Sequence, residues 1–342
     1  MGVVDPTDTW RGTGSATLKD IARLVGVSES AASVVLNGSR SHTRVSLKTR
    51  ERVTRAAEQL GYRPNAVARA LSLGRTNRIG VYASRLGDAG DPFWSDIHVG
   101  LYRQARAFDV DVVIHTSGGE SNRLLELVSD RTVDGLIVVA QGDSEIIQLL
   151  EERHVPAVAL VDRIDGLPSV CVDDRAGAAM LAQHLFDRGH RHVLALESPL
   201  WKSITIVERL ESFLETAESL GMRVSLEEFA VDSISPLSSD ALDLLTCDRN
   251  RGTAVVAHND LVADRVSNQL FLRDIAVPES IAVVGFDGHQ SYFVPRLPLT
   301  SICADWPTVA ATGVNVLMSL IAGEPVNRLT KLSVTFKQGL TT

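Results

Sequence analysis

The chain is 342 residues long, 44% hydrophobic and 22% charged, with 34 Lys+Arg against 42 Asp+Glu and a formal net charge of −8. This composition excludes a disordered, collagenous or disulfide-scaffold protein and points to two or three domains, each long enough to bury a core. The negative total argues against nucleic acid only until the chain is divided. Residues 1–78 hold 13 Lys+Arg and 6 Asp+Glu, a net of +7, and residues 79–342 hold 21 and 36, a net of −15. A basic head on an acidic body points to a nucleic-acid-binding module joined to something else.

In chain order, residues 1–16 have no apolar run and carry Asp5 and Asp8 where a secretion signal needs positive charge, so they read as a disordered extension. Thr17-Leu-Lys-Asp20 resembles a capping box and opens a helix with Ile21, Ala22, Leu24 and Val25 at helical spacing. Gly26 ends that helix in a tight turn, and Ser28 caps a second helix running to about Asn37, whose Ala31, Ala32, Val35 and Leu36 suit close packing. Ser46 caps a third helix, with Leu47, Val53, Ala57 and Leu60 as its inner stripe and Lys48, Arg50, Arg52 and Arg55 outside, and Gly61 ends it. Helix, glycine turn, helix is a helix-turn-helix arrangement over residues 17–61, followed by a hinge helix and linker over 62–78.

From residue 79 the pattern changes. The runs IGVYAS, VDVVIHT, GLIVVA, PAVALVD, HVLALE, TAVVAHND and IAVVGFD are β-branched and continuously apolar, as buried parallel strands are. Helical stretches lie between them near 93–107, 121–131, 143–153, 174–188, 205–220, 237–249 and 260–274. That alternation predicts βαβ units in two lobes with crossing connections. The division falls at about 79–161 plus part of the C-terminal segment for one lobe, and about 162–290 plus the rest for the other. No phosphate loop, nucleophile elbow or zinc-protease motif occurs, so no enzyme is expected. His190 and His192 flank Arg191 without a third ligand, and Asp174 reads as an acid opening a helix, so neither a metal nor a cofactor is called for. Scattered Cys171, Cys247 and Cys303, with no apolar run near the ~20 residues of a membrane span, fit a cytoplasmic protein without a membrane partner.

The segments TLKDIARLVGVSESAASVVLNG and VSLKTRERVTRAAEQLGYRPNAVARAL closely resemble the DNA-binding head of the LacI/GalR family of bacterial transcription regulators. The resemblance implies that Thr17, Leu18, Ser28, Glu29, Ser30, Ser33, Val34, Asn37, Ser46, Thr49 and Tyr62 face DNA, with the second helix in the major groove. Most members carry Arg at the position of Val34; with Glu29, that change implies an unusual operator half-site. The stretch 38–44, about three residues longer than usual, places Arg40 and Arg44 either on phosphates or in a longer solvated loop. Asn65, Ala68 and Leu71 match the family's hinge, where paired Leu71 side chains wedge into the minor groove.

In the body the resemblance implies a periplasmic-binding-protein-like core with a small-molecule effector between the lobes. Asp91-Pro-Phe-Trp94, Glu208-Arg-Leu-Glu-Ser-Phe213, His258-Asn-Asp260 and Val284-Gly-Phe-Asp-Gly288 match family motifs, which makes Phe93, Trp94, Arg209, Asn259 and Asp287 the expected ligand contacts. Their chemistry suits a sugar or derivative: carboxylates and amides accept from hydroxyls, and an aromatic plate covers an apolar sugar face. Ser212 replaces the family's glycine, Val231-Asp-Ser233 lacks its usual aromatic, and Asp143 aligns only loosely. The implied function is a homodimeric repressor of a pseudo-palindromic operator, with the ligand acting as inducer or co-repressor. The alternative, a solute-binding protein of the same core fold without a DNA role, lacks a reason for the basic head.

Overall fold

The computed structural model describes residues 16–37, 45–63, 70, 74–83, 92–116, 132–139, 144–198, 203–229, 235–246, 252–289 and 297–342. The chain separates into two units, residues 1–77 and 78–342.

The first unit is built from α1 (Leu18–Val25), α2 (Glu29–Asn37) and α3 (Leu47–Gln59). Thr17 opens α1 with a reciprocal cap: its hydroxyl accepts from the Asp20 N–H at 3.3 Å, and the Asp20 carboxylate accepts from the Thr17 N–H at 3.0 Å. Gly26 closes α1 in the left-handed region, φ 73°, which a side chain resists. Ile21, Ala22 and Val25 meet Ala32 from α2 and Val53, Ala56 and Ala57 from α3 in a small core. The expected inner stripe of α3 is corrected here. Leu47 is 80% and Leu60 39% exposed, while Ala56 is buried. Leu47 lies about 120° round the helix from Val53 at 3.6 residues per turn, and Leu60 is already the C-cap. Arg52, expected outside, donates to the Val25 carbonyl at 2.6 Å and ties α3 to the end of α1.

The second unit holds two six-stranded sheets. β1 (Arg78–Ala83), β2 (Asp111–Thr116), β3 (Gly135–Val139), β4 (Ala157–Leu160), β5 (Ser169–Val172) and β11 (Leu329–Leu332) form the first, in the order β11-β5-β4-β3-β1-β2. All its pairings are parallel. β6 (His192–Glu197), β7 (Arg223–Glu228), β8 (Ala254–Val256), β9 (Ala282–Asp287), β10 (Thr300–Cys303) and β12 (Thr335–Lys337) form the second, in the order β12-β10-β9-β8-β6-β7. Only β12 is antiparallel there. The helices are α4 (Pro92–Ala107), α5 (Ser144–Glu152), α6 (Asp174–Asp187), α7 (Ile204–Ser219), α8 (Ser239–Thr246), α9 (Asp260–Phe271) and α10 (Trp306–Ala322).

Helix α10 packs on α4 and on β3, β4 and β5, whereas α6 packs on α7, β10 and β12. The chain therefore passes between the lobes three times, at 172–174, 303–306 and 332–335. The first lobe runs past the division expected at 161, because β5 still pairs with β4. Strands β3, β4 and β9 are buried along their whole length, as parallel strands between helices must be. The helix expected at 121–131 lies outside the described residues. Among the described residues, no helix is long and apolar enough to cross a membrane.

Candidate nucleic-acid interface and ligand site

In the head, three capped helix starts lie at Thr17, Ser28 and Ser46. The Ser28 hydroxyl accepts from the Ala31 N–H at 3.1 Å, and that of Ser46 from the Thr49 N–H at 3.3 Å. Such starts leave further N–H groups unspent and carry the positive end of the helix dipole, which suits phosphate oxygens. Ser28, Glu29 and Ser30 are exposed at the start of α2 and Ser33 is half-buried one turn on, so one polar face points outward. Thr17 is exposed, and Leu18 and Thr49 are half-buried. Tyr62 packs against the small core.

Two of the expected DNA contacts are corrected by their burial. Val34 and Asn37 are 7% and 5% exposed. They follow Ala31 at three-residue spacing and so continue the inward stripe of α2. The Asn37 amide donates to the Ser33 hydroxyl at 3.2 Å, leaving its buried Oδ1 without a hydrogen-bond partner. Asn65, Ala68, Leu71, Arg40 and Arg44 lie outside the described residues.

In the body, the strand ends carry the chemistry. Phe93 and Trp94 stand on the first turn of α4, edge to face with ring centroids 5.5 Å apart. Phe93 also meets Trp306 at 5.0 Å and His289 at 6.0 Å, which brings α4, the start of α10 and the segment after β9 to one place. Neither Trp306 nor His289 was singled out from the sequence. Trp306 follows Asp305, whose carboxylate caps α10 by accepting from the Thr308 N–H at 3.0 Å, so A-D-W-P reads locally as a turn.

Arg209 on α7 lies 3.5 Å over the Phe286 ring, donates through Nε and Nη2 to Asp174 Oδ1 at 2.8 and 2.6 Å, and through Nη1 to the His258 carbonyl at 2.9 Å. Asp174 opens α6 as the acid of its first turn, as the sequence suggests; Asp173 caps it, accepting from the Ala176 N–H at 3.2 Å, and the Asp174 carboxylate also holds Arg209. Burial pushes the Asp174 carboxyl up to about 6 against the pull of Arg209, which leaves it ionised at neutral pH. Burial, followed by the Arg209 charge, pushes His258 down to about 3, so its ring is neutral. Ser212, the departure from the family's glycine, uses its hydroxyl to donate to the Arg175 carbonyl at 2.8 Å.

Asn259 spends its side-chain oxygen on the start of α9, accepting from the Val262 N–H at 2.9 Å. Asp260 beside it is buried: Oδ1 accepts from the Ser301 hydroxyl at 2.5 Å and Oδ2 from the His289 N–H at 2.8 Å. Burial, then the charge of Asp287, pushes its carboxyl up to about 8. A Cβ at Gly285 would lie 2.3 Å from Asp260 Oδ1, so only glycine lets α9 approach β9 this closely. At the end of β4, Asp162 Oδ1 accepts from the N–H and hydroxyl of Thr205, both at 3.1 Å, and Arg163 pairs with Glu208 at 2.5 Å. These two pairs join the first lobe to α7.

Backbone strain also gathers here. Val161 and Asp287, at the carboxyl ends of β4 and β9, have φ of 76° and 111°, values that cost of order 1–3 kcal/mol in a non-glycine residue and cluster at functional sites. A cavity of about 200 Å³ opens at the carboxyl ends of β6 and β8 under α7, lined by Arg209, His258, Phe213, Leu210 and Glu197 among others. Of the five expected ligand contacts, only Arg209 lines it; Phe93 and Trp94 come together with Trp306 and His289, and Asp287 with His289.

Both units match known families. Residues 79–312 fit the model for periplasmic binding proteins and the sugar binding domain of the LacI family, and residues 17–65 fit that for bacterial regulatory proteins of the lacI family. The chain belongs to the LacI family. Among its LacI-family relatives, the ribose operon repressor of Escherichia coli (strain K12) is 29% identical over 342 residues, covering 94% of this chain and 97% of the relative. The HTH-type transcriptional regulator CelR of Thermobifida fusca is 31% identical over 323 residues, covering 90% and 92%. A crystal structure of the lac repressor dimer bound to operator and the anti-inducer ONPF matches with a TM-score of 0.81 at 27% identity, over 95% of this chain and 98% of that one. One model falls on each structural unit, so this LacI-family chain is a transcription regulator with a DNA-binding head and a ligand-binding body.

Proposed function

We propose that the protein is a cytoplasmic repressor that binds a pseudo-palindromic operator as a homodimer and releases or tightens on it when a sugar or sugar derivative enters the interlobe cleft. The observation that carries this reading is the union, in one chain, of a helix-turn-helix presenting Ser28, Glu29 and Ser30 with a two-lobed body; Phe93, Trp94, Arg209, Asn259 and Asp287 are its candidate ligand contacts. In this reading α2 enters the major groove, Ser30 and Glu29 meet base edges, and Ser28, Ser46 and Thr17 hold phosphates. Thr49, Leu18 and Tyr62 support that docking, and Asn65, Ala68 and Leu71 supply the hinge that wedges the minor groove. The relative named a ribose operon repressor, and a solved CelR–cellobiose complex that matches this chain at 28% identity with a TM-score of 0.67, support a sugar as the ligand class. The body binds its ligand without transforming it.

The ligand acts through different affinities for the DNA-competent and incompetent lobe arrangements, a coupling of about 1–3 kcal/mol or ~5- to 150-fold in operator affinity. The test is a gel shift on operators selected from random DNA. The full chain is expected to shift a two-half-site fragment, and residues 79–342 alone to shift none. Equal shifts would remove the head from DNA binding.

A further inference from the structure

We propose that the cavity under α7 is a second ligand site, one that takes a small uncharged aromatic ring inside the second lobe. Its volume is about 200 Å³, larger than the ~150 Å³ of an apolar cavity that stays dry and admits benzene. Protein interiors keep few voids larger than a water molecule, and an empty one destabilises in proportion to its size. Ala178 and Ala195, 1% and 2% exposed, line this one from α6 and β6, where a larger apolar side chain would fill the space. Packing alone does not explain why it is kept.

The walls are apolar. Phe213, Leu181 and Phe286 line the cavity and are buried. Ile206, Leu210 and Leu214, at four-residue spacing on α7, line it too and are only half-buried. Two of the walls are phenylalanine rings, which favour a further ring over an alkyl chain, because edge-to-face and offset contacts add to burial. Helix α7 also separates this site from the cleft. At about 100° per residue, Thr205 and Glu208, which pair with Asp162 and Arg163 of the first lobe, stand on the side of α7 opposite Ile206, Leu210 and Leu214. Among the described residues, every one that lines the cavity belongs to the second lobe.

The polar groups at the edge set the ligand's charge. Arg209 gives its guanidinium to Asp174, and burial holds the His258 ring neutral. Glu197 and Glu211 line the same cavity, with Glu211 3.9 Å from Arg175. An anionic ring would bring a further negative charge beside these two carboxylates, and a charged ring of either sign would leave water for apolar walls. An uncharged ring meets neither obstacle.

The experiment is calorimetric titration of the full chain, with no sugar present, with indole and benzyl alcohol, alongside benzoate and benzylamine. At least one uncharged ring is expected to bind, and both charged ones to bind tenfold more weakly or not at all. Ala195→Leu, which fills the cavity from β6, is expected to weaken the binding tenfold or more while the thermal midpoint holds or rises. In a core without such space the added carbons would lower that midpoint. Neither uncharged ring binding, a charged ring binding as well as an uncharged one, or Ala195→Leu binding as tightly as the unsubstituted protein overturns the proposal. If Ala195→Leu does not fold, crystals under xenon pressure decide. A xenon atom bounded by Leu210, Phe213 and Phe286 supports the site, and its absence from there overturns it.

Discussion

The head and the body solve opposite problems. The head is held by seven buried side chains, most of them alanine or valine, and by capped helix starts, so its stability rests on local terms and its outer face is left to polar contacts. The body buries continuous apolar strands, and that surplus lets it keep costly features at the strand ends: four buried aspartates, two positive-φ residues and unpartnered donors. A small domain keeps its function on the surface, while a large one can hold it inside.

The sharpest way to break this comparison is in the cleft. Asp287→Ala removes a carboxylate from both the expected ligand contact and the His289 ion pair, and should abolish the ligand response in an operator-release assay while the dimer persists in sedimentation. An unchanged response would place the site elsewhere. Next in size, Gly285→Ala forces a methyl against Asp260 and Leu299 and should cost about 2–4 kcal/mol in the body's unfolding transition, with the head's melting unmoved.

A pH titration separates the units with a smaller effect. His289 and Asp260 have folded values of about 9 and about 8, above their ordinary 6.5 and 3.8, so the native body binds more protons than the unfolded chain. Their contribution is whole below the ordinary values and is lost as pH rises through the folded ones. The body's thermal midpoint should therefore fall between pH 7 and pH 10. A midpoint rising over that range would contradict the burial of these groups. Smallest is Thr17→Ala, which removes the α1 cap and should cost the head about 1 kcal/mol by circular dichroism, without touching the body.

What could be read without coordinates follows the same divide. The caps at Thr17, Ser28 and Ser46 and the turn at Gly26 are local chemistry, and all stand where the residues place them. So do the buried runs of β3, β4 and β9, because parallel strands between helices leave no polar positions. Edge strands β7 and β11, with sequences RVSLEE and LTKL, carry no such run and passed unnoticed. Helix α10 was hidden behind its Asp-Trp-Pro start. In the body, motif positions single out Arg209 and Asp287 as candidates, but the pairing of Arg209 with Asp174, separated by 35 residues, and the meeting of Phe93, His289 and Trp306 arise only from tertiary packing. The inward turn of Val34 and Asn37 is of the same kind, since Ala31, Ala32, Val34, Val35 and Leu36 spread round α2 and do not declare which face is inner.

The three passages of the chain between the two sheets act as a mechanical joint. Three short straps join two sheets that share no strand pair, so one lobe can turn against the other without breaking a single ladder. Asp174 follows the first strap and Trp306 the second, so the Asp174–Arg209 pair and the Phe93–Trp306 contact lie beside the crossings. A small displacement beside the crossings becomes a large one at the far ends of the lobes, a lever that a ligand held there would work.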